Sequence, residues 1–303
     1  MKLSVVLPIY NGEKTLTSTL ESLACQTFKE FELIACIDGS TDGSEAILQS
    51  YSEKFKCVKI LKNPKNLGLA ATMNKLVAHA SGTYIAVAEQ DDFYYPERFE
   101  LQLDFFDKNP DAGLVSGIAD FWDGKKITTR FPGILLRKKQ YPKGKEMFLF
   151  NYRNQTKVVN SCMMFRKSIH IDNGLYFSKH YPNVPVDLAY FLRFSMVSEI
   201  YGIFDSLVLL DRRKERNSVT TFNQKKQYLA SKELLRSFKY EYPEIVSLKD
   251  YKFAKTTLHL KWLKSYKWYR RFFMFLYYYF QNPFDKRWKK SVFKRLNLFF
   301  TNN

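Results

Sequence analysis

The sequence predicts an α/β protein with a mostly parallel central sheet, extended on its C-terminal side by a helical region rich in basic and aromatic residues. Three observations carry this. Before residue 92, four short apolar runs each lead through a turn into a stretch of helical periodicity. Strands alternating with helices of about a dozen residues build right-handed βαβ units on a parallel sheet. The fourth run ends in a cluster of acidic side chains, and the carboxyl ends of strands are where open sheets of this kind bind ligands. From residue 221 the pattern is helical, and from 251 it is strongly basic and aromatic, with Asp285 the only acidic residue left.

Leu3-Ser4-Val5-Val6-Leu7-Pro8-Ile9 reads as the first strand. Asn11 is placed to cap the helix that follows, whose face is Leu16, Leu20 and Leu23. Residues 31–37 form the second strand pattern, which runs into Asp38-Gly39-Ser40-Thr41-Asp42-Gly43-Ser44, a turn and helix start with Ile47, Leu48, Tyr51 and Phe55 as its apolar face. A third strand covers 58–61, a loop 63–68 and a helix 69–80. The fourth strand, Tyr84-Ile85-Ala86-Val87-Ala88, precedes Glu89-Gln90-Asp91-Asp92, and a helical pattern starts near Pro96 with Phe99, Leu103 and Phe106 on one side. Residues 113–122 are strand-like. Residues 123–160 read as loop-rich and basic, with no assigned element. Residues 161–165 form a short strand, Pro185-Val186-Asp187 opens a helix, and 203–210 form a last strand.

Length and charge bound the function. A chain of 303 residues has ample length for a core. Its 48 Lys and Arg against 30 Asp and Glu give a formal +18, which draws a protein to phosphates, nucleic acid or an anionic membrane surface. Cys25, Cys36, Cys57 and Cys162 show no paired spacing, which reads as a reducing compartment without a zinc site. The run 3–7 imitates a very short signal segment but is ended by Pro8, Asn11 and Glu13. No apolar run approaches the ~20 residues that span a bilayer.

The chemistry concentrates in Glu89, Asp91 and Asp92. Oxygen-rich clusters suit hard divalent cations, which in turn hold phosphates. A solvated acidic turn capping the next helix explains the same residues, and the two readings stay open on this stretch alone. The dinucleotide fingerprint and the Walker loop are both absent, so a cation on the acidic cluster is the natural means of neutralising a bound phosphate.

Pro8-Ile9-Tyr10-Asn11-Gly12-Glu13, Asp38-Gly39-Ser40-Thr41-Asp42, Asn66-Leu67-Gly68 with Asn74, and Gly82-Thr83-Tyr84-Ile85 leading into Asp91-Asp92 occur in order. In these motifs the chain resembles the family 2 glycosyltransferases of the GT-A fold, over roughly residues 3–220. The resemblance implies a Rossmann-like nucleotide-binding sandwich over 1–220, with a nucleotide-sugar half at 1–92 and an acceptor half at 93–220, followed by a helical region at 221–303. It implies a nucleotide-sugar donor (UDP-linked), a divalent metal (Mn or Mg), and inversion at the anomeric carbon. It places Pro8, Tyr10, Glu13, Asp38, Asn66 and Asp91 at the nucleotide-sugar, with Asp38 accepting a hydrogen bond from the base. It gives the metal to Glu89, Asp91 and Asp92, where Glu89 is one methylene longer than the family's Asp. Asp187 stands at the family's base. Arg212 and Lys214 belong to the family's donor-binding loop, in which Asp211 and Lys214 here replace a Tyr and a His. The implied acceptor is a glycan or lipid-linked glycan of a cell-surface polysaccharide or lipopolysaccharide. The family's processive signature Gln-x-x-Arg-Trp is absent, so one sugar per encounter is expected.

Plainer roles exist for the same residues: a turn at Asp38, helix-start charges at Asp91, Asp92 and Asp187, surface charge at Arg212 and Arg216. Two other function classes compete. A sugar nucleotidyltransferase also uses a parallel α/β half but carries a Gly-rich basic loop after its first strand, where this chain has Tyr10-Asn11-Gly12-Glu13. A nucleic-acid-binding protein accounts for the basic and aromatic C-terminal residues but not for the ordered motifs. The expected partners are therefore donor, acceptor and an anionic membrane surface on the inner face of the cell membrane, with no nucleic acid. The segment from Tyr251 to Phe300 suits a helix lying in the membrane interface. Packing of Trp262, Tyr266, Phe273 and Tyr277 on the catalytic domain, or a homodimer seam, is the alternative.

Overall fold

The protein is described by a computed structural model covering residues 1–155, 158–180, 185–213, 224–266 and 268–288. Strand β1 (Leu3–Ile9) pairs in parallel with β2 (Phe31–Asp38) on one side and with β4 (Tyr84–Val87) on the other, and β3 (Cys57–Asn63) lies outside β2. β2 is buried along its whole length, as a strand covered on both faces must be, which is why it reads as a nearly continuous apolar run. Helices α1 (Leu16–Ala24), α2 (Ser44–Tyr51) and α3 (Leu69–His79) make the crossovers. The sequence reading of this half holds to within a residue or two at most element ends.

Beyond β4 the sheet changes direction. Short β8 (Met164–Arg166) runs antiparallel to both β4 and β6 (Ala112–Trp122), and β6 runs parallel to β9 (Glu199–Asp211). Three-residue β5 (Asp92–Tyr94) is antiparallel to β9, and β7 (Ile127–Phe131) forms a hairpin with β6. The order is β3-β2-β1-β4-β8-β6-β9-β5, with β7 off the path. Helices α4 (Arg98–Lys108), α5 (Gly133–Leu136), α6 (Gly144–Asn154), α7 (Lys167–Asp172) and α8 (Pro185–Val197) complete this part.

The period of two along a strand divides the core between the sheet's faces. Val5 and Leu7 join Leu16, Leu20 and Leu23 of α1 and Phe99, Leu103 and Phe106 of α4. Val6 points the other way, into Met73, Leu76 and Val77 of α3 and Tyr190, Phe191 and Phe194 of α8. A third cluster binds the C-terminal helices α9 (Gln224–Glu241) and α10 (Leu248–Trp262) to the rest: Phe148 and Tyr152 of α6 and Leu188 and Leu192 of α8 meet Leu234, Leu235, Phe238 and Leu258. α10 starts at a capping box, Ser247 with Asp250, and Asp250 also accepts a hydrogen bond from Arg153 Nε at 2.6 Å, tying the cap to α6. The last described helix, α11 (Trp268–Gln281), is held by Tyr278 in a small cluster with Leu263 and Trp288.

Two expectations are corrected, and one strand is added. Asn11 does not cap α1. The cap position is Thr15, and Asn11 adopts φ 48° while its side chain accepts a hydrogen bond from the Thr41 N–H at 2.9 Å. The stretch 123–160 is not mainly loop, since it holds β7, α5 and the eleven-residue α6. α6 buries Asn151 beside Met147, Phe148 and Tyr152, and this buried amide disturbs the apolar period that would have marked a helix. β5 went unseen because three residues carry no period, and its partner β9 lies more than a hundred residues away in sequence.

Two buried imidazoles set a pH dependence. Burial, with Lys167 adding to it, lowers His170 to about 4, and burial with Lys255 and Lys232 lowers His259 to about 3. Both folded values lie below the ordinary 6.5. Their contribution to stability is complete above that pH and is lost as pH falls toward the folded values. Thermal unfolding followed between pH 7 and 4 should show stability dropping below about pH 6.5, by roughly 1.4 kcal/mol per pH unit for each histidine. His259→Phe, which keeps the stacking on Tyr278 but cannot titrate, should flatten part of that slope.

Candidate active site

The carboxyl ends of β1, β2 and β4 open on one edge of the sheet, and three loops meet there. The loop after β1 is sewn to the loop after β2: Asn11 N donates to Ser40 Oγ (3.1 Å), Gly12 N to Ser44 Oγ (2.8 Å) and Glu13 N to Asp42 Oδ2 (3.0 Å). Burial works against the Asp42 charge, but the Ser44 hydroxyl and the N–H groups of Glu13 and Ser44 outweigh it and hold the carboxyl below its ordinary range. Pro8 is half-buried at the end of β1, while Tyr10 and Glu13 are exposed at the loop surface.

Gln90 links the first loop to the acidic one. Its Oε1 accepts from Tyr10 N at 2.8 Å and its Nε2 donates to Tyr10 O at 2.9 Å, so one side chain satisfies both main-chain groups of Tyr10. The approach is close enough that a Cβ on Gly12 would lie 2.6 Å from Gln90 Oε1.

Asp38 faces a third loop. Its Oδ1 accepts from Asn63 Nδ2 (2.8 Å) and Leu67 N (2.8 Å), and its Oδ2 from Gly68 N (3.0 Å). Asn66, exposed, accepts from Gly68 N at 2.9 Å. Asp38 therefore clamps the loop 63–68 across the site. Gly39 makes this possible: its φ is +68°, and a Cβ there would sit 2.4 Å from Asn66 N.

The acidic cluster itself forms as the sequence places it. Carboxylate oxygens of Glu89, Asp91 and Asp92 all lie within 4.8 Å of one another, with Asp92 buried and the other two half-buried. Three hard oxygen donors at that separation fit a divalent cation such as Mn2+ or Mg2+. Asp92 stands in β5 opposite Leu210 of β9, with its carbonyl accepting from Thr19 Oγ1 at 2.8 Å. Glu89 Oε1 accepts from Asn160 Nδ2 at 2.7 Å, and the Glu89 N–H donates to Tyr94 Oη at 2.7 Å. Beneath them lies Arg98, fully buried: Nη2 donates to Val87 O (2.8 Å) and Met163 O (3.4 Å), Nε to Gln102 Oε1 (3.2 Å), and the guanidinium lies 4.5 Å from the Tyr94 ring centroid.

Asp187, in the first turn of α8, is brought to the same place. Asp187 is half-buried, and desolvation followed by the negative charge of Glu89 pushes its pKa well above the usual carboxylate range. Arg212 lies two positions beyond the β9 residue that faces Asp92, with its guanidinium 5.1 Å from the Phe121 ring centroid. Arg213 pairs instead with Asp211. Lys214 and Arg216 lie outside the described residues. Gln90, Tyr94, Arg98 and Asn160 were missed in the sequence. Only Gln90 offered a signal, its place between carboxylates.

A family model described as glycosyl transferase family 2 matches residues 4–174, more than half of the chain, and it spans every loop just described except the Asp187 and Arg212 segments. The chain belongs to that family. Among curated relatives of this family member, EpsE of Bacillus subtilis is 41% identical over 109 residues, 36% of this chain and 39% of its own length, so the chain spans well under half of it. Among solved structures, TarS of S. aureus in complex with UDP-GlcNAc aligns over 87% of this chain and 81% of its own, with TM-score 0.59 and 20% identity. The mannosyltransferase PcManGT from Pyrobaculum calidifontis in complex with GDP-Man and Mn2+ aligns over 98% and 80%, with TM-score 0.60 and 14% identity. At these identities the two structures bear on the fold, and they show it to be the GT-A Rossmann-like sandwich.

The supporting contacts are testable without knowing the substrate. Gln90→Leu strips the Tyr10 main chain of two hydrogen bonds, and Arg98→Met leaves buried carbonyls of Val87 and Met163 without this donor. Each uncompensated group costs ~1–3 kcal/mol. Urea denaturation should show both variants less stable, with Arg98→Met the more affected, and calorimetric titration should show weaker Mn2+ binding in both.

Proposed function

We propose that this protein is an inverting glycosyltransferase, moving one sugar per encounter from a nucleotide-sugar, most simply a UDP-sugar, to a glycan or lipid-linked acceptor in cell-surface polysaccharide or lipopolysaccharide assembly. The observation that carries the reading is the convergence of three carboxylates at the strand ends with Asp187, whose titration Glu89 perturbs. Family membership supports it, as do the nucleotide-sugars bound to TarS and PcManGT and the Mn2+ of the latter. In this reading residues 1–92 hold the donor, 93–220 the acceptor, and 221–303 form the helical region.

Pro8, Tyr10, Glu13 and Asp38 line the nucleoside side, Asn66 closes the loop over it, and Arg212 and Lys214 reach the phosphates as cations. Glu89, Asp91 and Asp92 would hold a divalent cation, which when bound would supply positive charge to offset that of the leaving diphosphate. Asp187 accepts the proton of the acceptor hydroxyl as that oxygen bonds to the anomeric carbon. The bond from that carbon to the phosphate oxygen breaks on the opposite face, its electron pair leaving with the diphosphate, and the configuration inverts. A lipid-linked acceptor would be met at the inner face of the membrane, and the formal charge of +18 supports that reading. Among the described residues no helix is long and apolar enough to cross a membrane.

A thermal-shift panel of nucleotide-sugars with Mn2+ should show stabilisation by one nucleotide class, and no response to any of them would overturn the reading. Asp91→Ala should abolish most donor turnover with the fold intact by circular dichroism. Asp187→Asn should keep donor binding but lose ~10²–10⁴ in rate. Because Asp187 works only when ionised and its pKa is raised, the rate should fall on acidification at a pH above the ordinary carboxylate range.

A further inference from the structure

Helix α11 has two unlike sides. Its inner side is fixed by Tyr278, buried with Leu263 and Trp288, and by Phe275 packed edge-on to Trp288 at 5.4 Å. Its outer side carries Phe272, Phe273, Leu276, Tyr277 and Phe280 within about 140° of helical arc. Their relative exposures are 62%, 72%, 36%, 61% and 75%, and Phe284 just past the helix is 94% exposed. Single exposed aromatics are ordinary on a protein surface, but four aromatic rings and a leucine along one side of one helix mark a docking face.

The charge around the patch selects the occupant. From residue 251 onward the sequence holds thirteen Lys and Arg and one acid, Asp285, which is paired with Arg287. Lys264, Arg270 and Lys286 are exposed at the two ends of α11. Pairing this face with the same face of a second copy would set these cations against one another, with Asp285, already paired with Arg287, the one acid from residue 251 onward. An anionic lipid surface complements them, and Phe and Tyr rings suit the headgroup level. The helix has fourteen residues, about 21 Å of rise, too short for a ~30 Å hydrocarbon core but suited to lying in its surface.

We propose that the outer face of α11 docks onto an anionic bilayer, lying in the interface with its aromatic stripe inserted and its flanking cations at the headgroups. The proposal rests on the reading of the chain as a transferase working at a membrane, and it names the surface that makes the contact. Trp262, which stacks on Tyr228 at 4.9 Å and donates to Tyr266 Oη at 2.8 Å, belongs to the packed side instead.

The full chain should co-sediment with vesicles of phosphatidylcholine and phosphatidylglycerol at low salt, at least tenfold more than with phosphatidylcholine alone, and should detach at high salt. The doubly exposed variant Phe273→Ser/Phe280→Ser should lose at least tenfold of that binding. Its circular dichroism and its thermal shift with nucleotide-sugar should stay unchanged, since neither ring packs in the core. Wild-type protein that ignores anionic vesicles overturns the proposal, as does a variant that binds them equally well. A wild-type dimer broken by the same variant, without vesicle binding, assigns the face to a second copy and also overturns it. The thermal shift reads the transferase assignment separately, so either idea can fail while the other stands.

Discussion

A guanidinium with no access to solvent underlies the site. An isolated cation in a protein interior is costly, and Arg98 is accommodated because carbonyls, an amide and two aromatic faces surround it. Its position is where the parallel half of the sheet gives way to antiparallel β8: the carbonyls it binds, of Val87 and Met163, belong to the two sides of that seam. Gln102 continues the network to the carbonyls of Val115 and Cys162, on β6 and beside β8. Tyr94, packed against the guanidinium, meets the main chain of Glu89. The acidic loop is thus fastened from below to the one place where both halves of the sheet meet, and negative charge gathers above a buried positive one.

The loops above that anchor hold one another through main-chain groups more than through charges. Gln90 takes both polar groups of Tyr10, Asp38 takes two N–H groups of the facing loop, and Ser40, Asp42 and Ser44 take those after β1. Such bonds fix position at little electrostatic cost, which leaves Glu89, Asp91 and Asp92 close together despite their repulsion. Pre-organisation of this kind lowers what binding must spend on ordering. Helices α9 and α10 share a core with α6 and with α8, the helix that carries Asp187, while α11 sits in a separate small cluster.

Much of this was legible in the sequence. The βαβ order, the helix faces of α1, α3 and α4, and the acidic cluster follow from period and turn chemistry, because each is decided by residues within a dozen positions of one another. Pro8, Tyr10, Asp38, Asn66 and Asp187 were marked by the family resemblance and not by local pattern, which for Asp38 and Asp187 indicates only a turn and a helix start. The helical, basic and aromatic character of the last fifty residues was equally plain from composition.

Tertiary structure alone decided the rest. β5 exists because β9 lies beside it, α6 because its interrupted apolar face finds the core of α8 and α9, and the partner of Asp38 is a loop nearly thirty residues away. Arg98 and Asn160 carry no local mark, since a buried Arg and an exposed one read alike until their carbonyl partners are known. The sequence also named Phe273 and Tyr277 together with Trp262 and Tyr266 as one stripe. Only packing separated them, burying one side of α11 against Trp288 and leaving the other to solvent. Local patterns determine what an element is, and contacts between distant elements determine which of its faces remains for function.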